Sequence, residues 1–212
     1  MFKMIYNIAR TELQMLFYSP VAWLLLVVFT VQSALAFSSQ LVGMTTSIEM
    51  GYSVSGITYT IFANPWGGLL PSIQGYLYFY IPLLTMGVVS RELSSGSIKL
   101  LYSSPITNFQ IIVGKYFAMM IYGAIMLGIL VLLGLCGLCT VKDFDWPMVL
   151  TGILGIYLLL CAYAAIGIFM SSLTSYQIVA AIGTFAVLLE AGGRITTLSG
   201  ILLTGYPLTV VA

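Results

Sequence analysis

Chemistry in a chain needs ionisable or nucleophilic side chains held together, and this sequence has few. It carries seven Lys and Arg, six Asp and Glu, and no histidine in 212 residues. Lacking imidazole removes the commonest general base and the commonest metal ligand. Three cysteines are too few for a disulfide scaffold. Cys136-Gly137-Leu138-Cys139 has the spacing of a redox pair or a soft-metal clip. Its neighbours Leu135 and Leu138 are apolar and Cys161 is far along the chain, so packing is the stronger reading. Glu190 and Arg194, four apart, can pair at a helix end. Gly114-Lys115 lacks the upstream glycine and the following hydroxyl of a phosphate-binding loop. It reads as a span boundary with a snorkelling lysine. The densest polar chemistry is Arg91-Glu92, followed by Ser94-Ser95-Gly96-Ser97.

The elements that must carry these groups are membrane helices. Sixty per cent of the chain is hydrophobic, 6% is charged, and mean hydropathy is +1.09. An ordinary soluble domain carries about 25% charged residues, so this surface faces lipid. Net charge of +1 leaves no basic patch for nucleic acid. A span needs about 20 apolar residues. Five stretches qualify: 21–37, with Pro20 in its first turn, 73–89, 116–138, 148–170 and the shorter 173–189. Continuous apolar runs such as Trp23–Phe29 argue against the alternation of a barrel. The expected fold is all-α: a single polytopic transmembrane helical bundle over residues 1–212. Its tail, 190–212, ends in an apolar run, Ile201–Ala212, too short to cross. Residues 38–72 form a polar outer loop with a turn at Asn64–Gly68.

Charge orients the bundle. Lys3, Arg10, Arg91, Lys99 and Lys115 fall on one side, which the positive-inside rule makes cytoplasmic. Residues 1–19 fit an interfacial helix. Lys3, Asn7, Arg10 and Gln14 share one face, and Ile5, Ile8, Ala9, Leu13 and Leu16 fill the rest. The alternative is a cytoplasmic extension of the first span. Glu12 projects from the apolar face, where a carboxylate neutralises or finds a cation; Arg91, at the same membrane level, is the expected partner, and a Glu that snorkels to the surface is the alternative. After Ser94 or Ser95 as a cap, Ile98, Leu101 and Tyr102 form a small apolar face that Ser104-Pro105 ends. Such a helix docks a soluble partner or lies on lipid.

These residues carry a resemblance. Pro82-Leu83-Leu84-Thr85-Met86, Arg91-Glu92, Ser95-Gly96-Ser97-Ile98, Leu100-Leu101, Ser104-Pro105-Ile106 and Gly114-Lys115 resemble the ABC-2 type permease pattern. The gliding-motility and nitrous-oxide-reductase-maturation permeases are the most similar group. Glu12 to Pro20 is similar to the family's interfacial helix, and Ser171-Ser172-Leu173-Thr174 with Gln177 and Ala180 to its inner turn. Gly87 stands where the family usually has Arg, Ser97 replaces Thr, and Lys99 replaces Glu. The family has six spans, so the short tail reads as truncated or altered.

The resemblance implies a permease subunit of an exporter in the bacterial inner membrane, with a cytoplasmic N-terminus. It has no ATPase site or catalytic residue of its own. ATP and Mg belong to a separate ATP-binding subunit, and a second permease subunit and membrane lipid complete the partners. Arg91, Glu92, Ser94, Ser95, Gly96, Ser97, Ile98, Leu101 and Pro105 map to the region that couples to the ATPase, and Arg10 and Glu12 to the interfacial helix. An intramembrane enzyme is disfavoured because the first four spans hold no ionisable acid, base or histidine. A secondary transporter or a non-transporting scaffold is the alternative.

Overall fold

In a computed structural model of the chain, residues 2–51, 56–65, 67–96, 107–140 and 144–204 are described. Every regular element among them is helical: α1 Phe2–Tyr18, α2 Pro20–Glu49, α3 Ile57–Phe62, α4 Leu69–Thr85, α5 Ser90–Ser95, α6 Asn108–Thr140, α7 Trp146–Leu173 and α8 Gln177–Thr204. Four stretches are long and apolar enough to cross a membrane: Pro20–Glu49, Leu69–Ser95, Asn108–Cys139 and Trp146–Ser172. The fifth apolar helix, Gln177–Gly192, is shorter. It starts after an extended Thr174 rather than at Leu173. Its helix then runs unbroken through Glu190 to Thr204, where the sequence suggests a separate tail.

Ser19 adopts an extended backbone, ψ 125°, and Pro20 opens α2. The proline lacks a donor where none is needed, and α1 is a separate helix rather than an extension of α2. The corner is fixed by the Trp23 indole N–H, which donates to Phe17 O at 2.8 Å. Lys3, Asn7, Arg10 and Gln14 are exposed, while Ile5 and Ala9 are buried. The buried face lies mainly on α6 rather than on α2. Gly114 makes this approach possible: a Cβ there would meet Ile8 Cγ2 at 2.7 Å.

The expected outer loop is partly helix. α2 continues through residues 38–49, to 30 residues in all. Its Ser and Thr hydroxyls bond back to carbonyls three or four residues earlier, as Ser39 does to Ala36 O at 2.9 Å and Ser47 to Gly43 O at 2.8 Å. This satisfies side chains that would otherwise compete with the helix. Gln40 Nε2 ties α2 to Gly67 O at 2.5 Å. Phe37, Phe62, Phe144 and Trp146 then stack in sequence, with centroids 5.6–5.9 Å apart, closing that end.

α4 and α7 pack against each other, and α8 lies against both. Large buried side chains from four helices meet in this core: Phe29, Ile73, Leu77, Tyr122 and Tyr163. Tyr122 keeps its hydroxyl satisfied by donating to Ala22 O at 2.7 Å. A buried hydroxyl without such a partner would cost about 1–3 kcal/mol.

Candidate functional site: a buried ion cluster at the α4–α5 bend

α4 is weakened before it ends. Pro82 removes one ladder bond, and the Thr85 hydroxyl bonds back to Ile81 O at 2.8 Å. The helix opens at Met86 and resumes as α5 at Ser90. The bend between them is held from three sides. Ser171 of α7, fully buried, accepts the Val89 and Ser90 N–H groups, each at 3.1 Å, and donates to Met86 O at 3.1 Å. Ser90 also donates its hydroxyl to Met86 O. From α6, Lys115 Nζ donates to Val88 O at 2.9 Å.

Lys115 is the centre of the site. It is 2% exposed, so it does not snorkel. Its ammonium also bonds Glu12 of α1 and, at 2.7 Å, Glu92 of α5. Three donors thus meet three acceptors. A buried cation without such partners would be strongly unfavourable. Glu12 therefore pairs with Lys115 and not with Arg91. The physical reason is helix phase: Lys115 projects from the buried stripe of α6 toward α1, whereas Arg91 is exposed on α5. The Arg91 guanidinium folds back over Gly87, with Nη2 3.0 Å from where a Cβ would sit, so glycine leaves it room.

Burial raises the Glu12 pKa above its usual value of 4.5, outweighing the Lys115 charge that lowers it. The folded state then binds that proton more tightly than the unfolded chain. The stability contributed is full below pH 4.5 and is lost as pH rises through the elevated folded value. Thermal melts of the detergent-purified protein against pH should show this decline in wild type and a flatter profile in Glu12→Gln. An identical slope in the variant would assign the titration elsewhere.

Of the residues expected to couple to a partner, Glu92 joins the cluster and Arg91 borders it. Ser94, Ser95 and Gly96 are exposed. Ser94 and Ser95 lie in the last turn of α5, and Gly96 ends it with φ +70°. Ser97, Ile98, Leu101 and Pro105 lie outside the described residues, as do Lys99 and Tyr102. Arg10 stays on the exposed face of α1. Glu190 is exposed, and the side chain of Arg194 lies outside the described residues. Cys136 and Cys139 are exposed and Cys161 is buried. Among the described residues no three Cys, Asp or Glu gather as a metal site.

Sequence reasoning missed Lys115 and Ser171 as the groups that hold the bend. A signal existed for both. Lys115 is in phase with Ile111, Ala118, Met119 and Tyr122, all buried on one α6 stripe. Ser171 continues the stripe of Leu160, Ala164, Gly167 and Ile168 on α7.

No curated protein and no solved structure matches the chain. A family model described as ABC-2 family transporter protein matches residues 6–204. With nearly the whole chain matched and several helices fit to span a bilayer, this multi-pass membrane protein belongs to the ABC-2 transporter family, as a membrane permease of an ABC transporter.

Proposed function

We propose that this permease works as one of two membrane subunits in an exporter driven by a separate ATP-hydrolysing subunit. On this reading the cytoplasmic side is the one bearing α1, α5 and Lys115, and the membrane is a bacterial inner membrane. The order of motifs is similar to that of the gliding-motility and nitrous-oxide-reductase-maturation permeases, and we place the chain nearest that group. The chain carries no nucleotide site of its own; ATP and Mg are handled by the partner.

One observation supports the coupling most directly. Glu92 at the base of the α5 segment is tied through Lys115 to both α1 and α6. A push on the segment that begins at Arg91 would reach two further helices through short, buried, charge-assisted bonds. Such bonds resist stretching more than a solvated contact does, so displacement passes on rather than dissipating. The residues after Gly96, including Ile98, Leu101 and Pro105, would form the surface that meets the ATPase.

Affinity purification from the native membrane should recover an ATP-binding subunit. In liposomes, ATP hydrolysis by that complex should fall when Glu92 is replaced by Gln. A Ser94→Cys variant in a background carrying Cys136→Ser and Cys139→Ser, which removes the two exposed native thiols, should react with an impermeant thiol reagent only from the cytoplasmic side. Labelling from the opposite side, or an active protein purified without any ATPase, would refute the reading.

A further inference from the structure

Two cavities beside the bend share a wall. One, of about 180 Å³, is bordered by Glu12, Arg91, Glu92 and Lys115 at its polar end and by Val21 and Leu83 at its apolar end. The other, of about 280 Å³, runs between α2 and α4 along Leu24, Val28, Phe79 and Leu83 to Gln32 and Tyr80. Leu83 lines both, so the two adjoin at that side chain, end to end along a track beside α2. From Val21 to Gln32 it climbs about 16 Å along α2. Leu24, Val28, Phe79 and Leu83 are exposed, open to the surrounding lipid. The far end is polar: the Tyr80 hydroxyl bonds Gln32.

The polar end is mixed in sign. Lys115 spends its three donors on Glu12, Glu92 and Val88 O. Each carboxylate meets it through Oε1, which leaves a second oxygen on each without a protein partner among the described residues. The Arg91 guanidinium, lying over Gly87, makes no ion pair among them either. One side of the cavity thus offers a fork of N–H donors and the other offers carboxylate oxygens. Below both lies an apolar track with the length of a hydrocarbon chain.

We propose that this track binds a phospholipid with a primary ammonium headgroup, of the phosphatidylethanolamine type. Its phosphodiester meets Arg91, its ammonium meets Glu12 and Glu92, and one acyl chain lies between α2 and α4. Guanidinium suits the phosphate as a planar fork. A quaternary ammonium has no N–H to give the carboxylates. An anionic headgroup would set uncompensated negative charge beside two carboxylates. The inference rests on the membrane embedding of the helices and not on ATP coupling or cargo.

The test is lipid retention. Detergent-purified, delipidated protein is mixed with vesicles of equal phosphatidylethanolamine, phosphatidylcholine and phosphatidylglycerol, repurified, and its bound lipid counted by native mass spectrometry. One phosphatidylethanolamine per chain is expected, preferred about tenfold or more over each of the others. Arg91→Gln should reduce its retention about tenfold by removing the fork. Leu83→Trp should do the same by filling the track while leaving the ion cluster intact. Both should keep the wild-type elution profile and lipid-free melting temperature; if one variant fails to fold, the other decides. Phosphoethanolamine or inorganic phosphate at millimolar concentration should leave the lipid in place. Equal retention of the three lipids, undiminished retention in a folded variant, or full displacement by the free headgroup would overturn the proposal.

Discussion

Replacing Lys115 by Met is expected to cost the folded protein about 3–5 kcal/mol, the range seen when one partner of a buried ion pair is removed. Two partly buried carboxylates would then face each other and Val88 O with their cation gone. Glu12 is already pushed toward its protonated form by burial. Its protonation would relieve part of the repulsion but not the orphaned carbonyl. Denaturation of the detergent-purified protein should show the loss directly. The triple variant Lys115→Met, Glu12→Gln, Glu92→Gln should recover most of it, because neutral groups carry no large desolvation penalty. If Lys115→Met melts like wild type, the cluster does not support the fold.

Ser171→Ala is expected to be the next most damaging change. It leaves the Val89 and Ser90 N–H groups without their acceptor at a fully buried position. Each unsatisfied donor costs about 1–3 kcal/mol, so a total of about 2–4 kcal/mol is expected after partial relaxation. Met86 O keeps the Ser90 hydroxyl, which limits the damage on the carbonyl side. The bend itself should loosen: amide hydrogen exchange at Val89 and Ser90 should accelerate about tenfold or more. Unchanged protection at both amides would mean that another group fixes the bend.

How far these features could be read from the residues differs by feature. The all-α membrane bundle was plain, because apolar runs longer than 17 residues admit few other structures in lipid. The amphipathic α1 was plain as well, since Lys3, Asn7, Arg10 and Gln14 keep helical spacing. The sequence shows Glu12 on an apolar face in want of a cation, but it points to Arg91 where the structure supplies Lys115. Choosing between Arg91 and Lys115 requires knowing that α6 begins at Asn108, well before its uniformly apolar part. Cutting the span at Tyr116 strips Lys115 from the buried stripe it belongs to. The helical extension of α2 over residues 38–49 was hidden for a different reason. Ser and Thr favour turns in isolation, and only their back-bonds to α2 carbonyls turn them into helix residues. The grip of Ser171 on a bend in another helix is a contact across 81 residues of sequence, and local periodicity cannot report it.

α2 spans 30 residues, which is about 45 Å of rigid rod, against a hydrocarbon core of about 30 Å. Its base is clamped to α1 through Trp23 and Phe17, and α1 is bolted to the ion cluster. The rod therefore behaves as a lever whose handle sits at the cluster and whose arm is tied to the turn between α3 and α4, where Gln40 Nε2 donates to Gly67 O. A tilt of only 10° at the handle would carry that turn, about 30 Å up the rod at Gln40, sideways by about 5 Å.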